Sequence, residues 1–390
     1  MEQLLYKLPD DWEWNSVKKL SHNIQYGHTA KAESGGNAKF LRITDIQDGK
    51  INWQEVPTVS LEDKDIRKYE LNDNDLVFAR SGATAGKSIL VKNAPKDAIF
   101  ASYLIRIIPN QEQIIPEYMS YFFLTPAYWE VVGLNASGAA QPNINGSKLA
   151  EFIVPLAPLE EQKRIVEKLD ALLFRINSAI EHLRESVALA DALYASALDR
   201  EFSKLMKKSD IVPFKKLVDN QDGKRIPIKA GERKNTHGTY PYYGATGIID
   251  YVDDFIFEGE RLLISEDGAN LVARKYPIAF LADGKYWVNN HAHVVDALTE
   301  LSSNLYLKKF FAWFDLSSYI TGSAQPKLSQ GKLNTIPVPV PTLGKQAEIV
   351  TELDKAYKLT ERLKKEVAEK LGMLTSLKAS ILDSAFKGEL

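Results

Sequence analysis

From Pro158 onward the apolar residues recur in alternating steps of three and four: Val166, Leu169, Leu173, Ile176, Ile180, Leu183, Val187, Ala190, Tyr194 and Ala197. This spacing puts them on one stripe of an α-helix and is the seam of a coiled coil. The preceding run Pro155-Leu156-Ala157-Pro158 stiffens the chain, and Pro158 suits an early helical position. A helix over about 159–202 is therefore predicted. At 1.5 Å per residue it spans roughly 65 Å, too long to be buried in one small domain, which makes it a spacer or a docking rod.

The pattern occurs twice, 184 residues apart, without a gap. Gln141-Pro142 returns as Gln325-Pro326, Leu149 as Leu333, Val154-Pro155 as Val338-Pro339, Gln162 as Gln346, Leu169-Asp170 as Leu353-Asp354 and Phe202 as Phe386. Chance does not hold register over such a distance, so the chain reads as two copies of a globular region followed by a long helix. The period is far above that of a solenoid. The second helix, over about 343–386, keeps Val350, Leu353, Tyr357, Val367, Leu371, Leu374 and Ile381 on its stripe but adds Thr360, Lys364 and Lys378. A shift of register towards Leu363 and Leu377 is expected there. The two helices either pack on their own domains or pair antiparallel, the simpler solution for a duplicated chain.

The globular halves are less alike. Short apolar or β-branched segments at 40–56, 76–80, 89–92 and 99–108, broken by Asp, Asn and Gly, predict strands and turns. Pro116–Val132 reads as helical with a break near Pro126. In the second half Gly247–Phe257, Arg261–Ser265 and Ile278–Leu281 are strand-like and Asn304–Phe314 helical. The expected fold is α+β: two mixed α/β domains separated by two long antiparallel coiled-coil helices, related by a pseudo-twofold internal duplication. The expected boundaries are 1–157, 158–205, 206–341 and 342–390.

Composition narrows the class. With 45% hydrophobic and 26% charged residues, the 390-residue chain is neither disordered nor a membrane bundle. It has no cysteine, which removes disulfide scaffolds, thiolate nucleophiles and cysteine-rich zinc sites. The opening MEQLLYKLPDDWEW has no basic leader followed by an apolar run, and no apolar stretch of about 18 residues follows, so a cytoplasmic protein without a membrane partner is expected. The net charge of −2 does not advertise a nucleic-acid binder. Locally, however, ten Lys or Arg face four Asp or Glu between Lys204 and Lys234, which suits either a phosphate backbone or a solvated linker.

Candidate chemistry lies at matched places. Ser81–Ser88, SGATAGKS, follows Leu76-Val77-Phe78 and resembles a phosphate loop, but Gly82 and Gly86 enclose three residues where a Walker A loop needs four. The turn presents Arg80, Ser81, Thr84 and Lys87, which suit phosphates or base edges; its counterpart presents Glu266, Asp267 and Asn270, which can accept from a cytosine amine or pair with adenine. A plain turn with solvated polar residues explains any one of these equally well. His291 and His293 share one face of a possible strand, but no third metal ligand accompanies them, which favours phosphate positioning or packing. Tyr240, Tyr242 and Tyr243 could stack on bases, although tyrosines beside a turn more often close a small core. Gln141, Asn143, Gln325, Lys327 and Lys332, in the two polar turns before the helices, either reach DNA or preserve the joint between domain and helix.

The whole chain resembles the specificity subunits of type I restriction-modification systems, the DNA-recognition subunits commonly called HsdS. The resemblance is carried by GAAQPNINGSKLAEFIVPLAPLEEQKRIVEKLD, Gly138–Asp170, and GSAQPKLSQGKLNTIPVPVPTLGKQAEIVTELD, Gly322–Asp354. LNDNDLVFARSGATAG, Leu71–Gly86, and PYYGATGIIDYV, Pro241–Val252, resemble family segments within the recognition domains. The resemblance implies two target-recognition domains that read a split, asymmetric target in double-stranded DNA. It also implies two modification (methyltransferase) subunits around the helices and restriction (translocase) subunits joining them. No amino-methyltransferase Asn-Pro-Pro-Tyr or Asp-Pro-Pro-Tyr and no complete ATP loop occurs, so the chain is expected to be noncatalytic and without a cofactor of its own. S-adenosylmethionine is then expected in the modification partner, and ATP and Mg in the restriction partner. A DNA-binding scaffold or antirestriction decoy of the same fold is the alternative.

Overall fold

A computed structural model describes residues 6–47, 49–136, 143–233 and 238–390. The chain forms two compact units, residues 1–183 with 369–390 and residues 184–368. The first carries β1 (Glu13–Ser16), β2 (Ser21–Tyr26), β3 (Ala38–Leu41), β4 (Ile46–Gln47), β5 (Lys50–Ile51), β6 (Thr58–Val59), α1 (Asp63–Tyr69), β7 (Leu76–Ala79), β8 (Ser88–Leu90), β9 (Ala98–Phe100) and β10 (Leu104–Pro109). Helices α2 (Pro116–Phe122), α3 (Pro126–Ala136) and α4 (Gly146–Glu151) and strand β11 (Ile153–Leu156) lead into α5 (Leu159–Lys208). Pro126 does divide the predicted helical stretch, and α5 continues about a turn and a half beyond its predicted end.

The second unit repeats the plan with β12 (Asp210–Pro213), β13 (Val218–Asn220), α6 (Ala230–Arg233), β14 (Tyr240–Gly244), β15 (Gly247–Val252), β16 (Phe257–Glu258), β17 (Arg261–Ser265), α7 (Asn270–Ala273), β18 (Ala279–Ala282), β19 (Lys285–Val288) and β20 (Ala292–Ala297). Helices α8 (Asn304–Trp313) and α9 (Gln330–Leu333) and strand β21 (Pro337–Val340) then lead into α10 (Leu343–Phe386). Each unit is built on a four-stranded antiparallel sheet of the same order, β2-β10-β7-β8 in the first and β13-β20-β17-β18 in the second. A two-stranded pair, β1-β11 or β12-β21, accompanies each.

The duplicated sequence marks turn out to build the joint between sheet and helix. In one unit Tyr118 donates to the Pro155 carbonyl at 2.8 Å, while the Gln162 amide donates to Gln113 and Ala157 and accepts from the Ile115 N–H. In the other Tyr306 donates to the Pro339 carbonyl at 2.6 Å, while the Gln346 amide donates to Leu301 and Pro341 and accepts from the Ser302 hydroxyl. Both glutamines are buried, so each carries its own partners into the core, as a buried polar side chain must. Phe386 seals the first joint against Tyr118 and Phe122, and Phe202 the second against Tyr306, Phe310 and Trp313.

Within each unit the segments of α5 and α10 run antiparallel. Lys378 meets Asn177 at 3.1 Å in the first unit; Lys364 meets Asp191 at 3.1 Å and Tyr194 meets Tyr357 in the second. On α5, Leu169, Leu173 and Ile176 are buried and Val166, Ile180, Leu183 and Val187 half-buried; on α10, Val350, Leu353 and Val367 are buried and Leu371, Leu374 and Ile381 half-buried. Tyr357 is 44% exposed despite its ring contact. The expected register shift does not occur: Leu363 and Leu377 face solvent, whereas Thr360 is 5% exposed and Lys364 and Lys378 stay on the stripe. A helix without an insertion cannot change face between Leu353 and Phe386, both anchored in a core, so its polar residues remain on the seam and find partners there.

Candidate nucleic-acid interface

The same backbone motif closes the end of the central sheet in both units. Beyond β7, the Arg80 N–H donates to the Tyr103 carbonyl at 3.0 Å and its carbonyl accepts from the Ile144 N–H at 2.8 Å, while Ser81 forms a bridge with Asn143. Beyond β17, the Glu266 N–H donates to the His291 carbonyl at 2.9 Å and its carbonyl accepts from the Leu328 N–H at 2.7 Å, while Asp267 forms a bridge with Lys327. The strand-end turn and the segment at Asn143-Ile144 or Lys327-Leu328, 60 or more residues apart in sequence, thus meet in each unit.

In the first unit this surface is cationic and aromatic. The Arg80 guanidinium lies over the Tyr26 ring, 5.2 Å from its centroid, and the Tyr26 hydroxyl accepts from the Gly146 N–H at 2.8 Å. Tyr26 remains 41% exposed. Thr84 stands half-buried in the turn and Lys87 points to solvent. Gln141 lies outside the described residues.

In the second unit the surface is a network of charges. Glu266 meets Arg225 at 2.6 Å, Lys327 at 3.1 Å and His293 Nδ1 at 3.6 Å. Burial alone would raise its carboxyl, but the Arg225 hydrogen bond, the His293 charge and Lys327 outweigh it and hold Glu266 below the usual carboxylate range. Asp222 behaves alike: burial raises it, and His293, the Val294 N–H and Arg225 pull it down further. His293 is fully buried, with Nδ1 2.6 Å from Asp222 Oδ2 and Nε2 2.8 Å from the Leu328 carbonyl. His291 sits in the turn before β20 and not on a strand; its Nδ1 lies 2.8 and 2.9 Å from the Asp267 carboxylate oxygens.

The structure therefore gathers Glu266, Asp267, His291, His293 and Lys327, with Gln325 exposed on the same segment. It does not gather Asn270, whose amide spends both polar atoms on the backbone of Tyr276, or Lys332, which is exposed on α9. Tyr242 is buried and Tyr243 stacks on Phe280, so these tyrosines close a core. Sequence reading missed Tyr26, Asp222 and Arg225, which reach the surface only through pairing of β2 with β10 and β13 with β20. Among the described residues no group of three or more His, Asp or Glu is placed to hold a metal, and no helix is long and apolar enough to cross a membrane.

Comparison with known proteins gives a consistent picture. The family described as type I restriction modification DNA specificity domain matches residues 9–187 and 206–371. A putative type I restriction enzyme specificity subunit of Haemophilus influenzae is 37% identical over 159 residues, 40% of each chain, so that alignment spans less than half of the relative. The putative type I restriction enzyme MjaX specificity subunit of Methanocaldococcus jannaschii is 25% identical across 92% of this chain and 90% of its own. The EcoKI specificity subunit of Escherichia coli is 25% identical across 98% and 90%. In fold, the chain is similar to a solved chain from work on complex assembly and conformational transition of the type I R-M system, with a TM-score of 0.76, 19% identity and coverage of 99% and 100%. It is also similar to the HsdS subunit of Thermoanaerobacter tengcongensis, at a TM-score of 0.52, 19% identity and full coverage of both.

Proposed function

The chain belongs to the type I restriction-modification DNA specificity family, and from that premise we propose that it is the noncatalytic subunit that selects a bipartite, asymmetric target in double-stranded DNA. Residues 1–157 and 206–341 act as the two target-recognition domains, and the helices of 158–205 and 342–390 set their spacing. Two modification subunits bind around the helices and transfer the methyl group from S-adenosylmethionine to adenine N6. Restriction subunits, supplied with ATP and Mg, complete the assembly.

One observation supports this reading above the others: an identical backbone frame carries different chemistry in the two units. Arg80, Ser81 and Asn143 in one stand where Glu266, Asp267 and Lys327 stand in the other. A cationic frame with neutral polar groups in one unit and a frame with carboxylates beside a lysine in the other suit two unlike half-targets, since guanine offers acceptors in the major groove and cytosine a donor. Arg80, Ser81, Thr84, Lys87, Gln141 and Asn143 are assigned to the first half-target, and Glu266, Asp267, His291, Gln325 and Lys327 to the second; Asn270, committed to the Tyr276 backbone, His293, fully buried, and Lys332, apart on α9, are left out of the contact surface.

Co-expression with the modification subunits, followed by single-molecule sequencing of the methylated DNA, tests the proposal. One split methylated motif that disappears when this chain is omitted is the expected result. A contiguous motif contradicts the two-domain reading, and DNA binding without any methylation favours a decoy.

A further inference from the structure

Arg80 differs from the other arginines in what surrounds its guanidinium. Phe78 of β7 and Tyr26 of β2 both pair with Ile105 of β10, so the three share one row across the sheet. Two residues beyond Phe78, Arg80 lays its guanidinium over the Tyr26 ring, 5.2 Å from the centroid. The ring is held at both ends, by its strand and through its hydroxyl, which accepts from the N–H of the buried Gly146 at 2.8 Å. Arg42 meets Asp45, Arg106 meets Asp75 and Arg225 meets Glu266, whereas among the described residues Arg80 is the one half-buried arginine without an acceptor. Its nitrogens are not sealed in the core, so its donors stay open to solvent at the end of the sheet.

A cation placed in this way keeps its donors and gives up much of the freedom of a surface side chain, which prepares it for a ligand that offers two acceptors in one plane. Guanine carries such a pair, O6 and N7, on its major-groove edge. A phosphate contact needs no such aim, and the exposed Lys87 of the same turn suits it. Resting on the function proposed above, we propose that Arg80 reads a guanine in the first half-target and that Tyr26 is its positioning residue, a ring that aims the guanidinium without touching the base. At the matching place of the second unit stands Glu266, already met by Arg225 and Lys327, so the effect of Tyr26 is confined to the first half-target.

The pairing itself is tested without DNA. In the full chain with labelled arginine, the Arg80 side-chain resonances, identified by their loss in Arg80→Lys, are expected to be displaced by the ring current of Tyr26. They should return to ordinary positions in Tyr26→Leu and stay displaced in Tyr26→Phe. Resonances that are ordinary in the wild type, or equally displaced in Tyr26→Leu, overturn the pairing.

The reading is tested in the full chain with its modification subunits. Methylome sequencing gives the split motif, and Arg80→Lys, which keeps the charge and loses the fork, is expected to relax one position, a guanine, in one half. Replacing that base by 7-deazaguanine, which lacks the N7 acceptor, should weaken wild-type binding by about fivefold or more and leave Arg80→Lys binding little changed. Tyr26→Leu is expected to lose about two- to fivefold of the preference at the same position only, and Tyr26→Phe to restore it, because the ring face and not the hydroxyl does the aiming. A structural role alone predicts the reverse: Phe, without its bond to Gly146, would fail as Leu does. Wild-type preference in Arg80→Lys, a relaxed base other than guanine, indifference of the wild type to 7-deazaguanine, or failure of Tyr26→Phe to rescue overturns the proposal. Absence of any split motif in the wild type strikes the function itself and leaves the resonance result standing.

Discussion

At Gly86 backbone and packing make the same demand. Its φ of 89° lies in the left-handed region, and a Cβ there would meet Val132 Cγ1 at 3.0 Å and Ile144 Cδ1 at 3.2 Å. Gly86→Ala is expected to destabilise the first unit by about 1–3 kcal/mol, read as a lower melting temperature. Carboxylates set a contrast between the units. In the second, Asp222 and Glu266 are held below their ordinary range by His293 and Arg225 against the opposing effect of burial. Such groups stabilise the folded state above their unfolded pKa of about 4, and that stability is lost as pH falls through the folded value. In the first, burial pushes Asp75 up even though Arg106 lies beside it, so proton uptake there favours the folded form. Acidification below about pH 5 is therefore expected to open the second unit before the first, and hydrogen exchange resolved by peptide reads the order. Simultaneous opening of both units would count against the network as the acid-labile element.

For the elements, periodicity was a strong guide: the second long helix begins and ends where its spacing and its proline-rich entry predict, at Leu343 and Phe386. The strand-to-turn pattern located Arg261–Ser265, and the proline rule located the break before α3. What the pattern hid was the composition of the seam. Lys378 is half-buried and its ammonium is pushed below the usual lysine range by burial, yet it keeps its stripe position by reaching Asn177 at 3.1 Å. A long side chain can bury its stem and still carry its charge to a partner, so polarity alone does not predict a change of register. Polar seam residues fix register at a cost in stability. Lys378→Leu is accordingly expected to stabilise the chain by about 1 kcal/mol in denaturant unfolding, with the helical circular dichroism unchanged. Similarly, the charge network could not be read from spacing, because Asp222, Arg225, Glu266 and Lys327 meet only through the order of strands β13, β20 and β17.

Across the whole molecule, duplication separates what must be constant from what must vary. The buried Gln162 and Gln346, the Tyr118 and Tyr306 hydroxyls and the Phe386 and Phe202 seals repeat almost atom for atom, because each joint must satisfy the same backbone groups in the same place. The side chains at the sheet ends do not repeat, because nothing in the frame depends on them: the frame is made by backbone N–H and carbonyl groups of Arg80, Ile144, Glu266 and Leu328. On the proposed function, a chain so built can alter one half of its target without disturbing the other. Arg80→Ala and Lys327→Ala therefore give a joint prediction. Each should weaken DNA binding by about 1–3 kcal/mol if it removes a base contact, and each should relax only one half of the methylated motif. Each site is completed by residues of its own unit, so the losses in the double variant should add within about 0.5 kcal/mol. Binding titrations at fixed salt, with methylome sequencing of the same variants, measure both quantities. A uniform weakening across sequences, with a shallower salt dependence, would reassign the residue concerned to the phosphate backbone. Relaxation of both halves by one substitution would mean that the two readings are coupled, and the constant frame would then have to transmit sequence information as well as hold it.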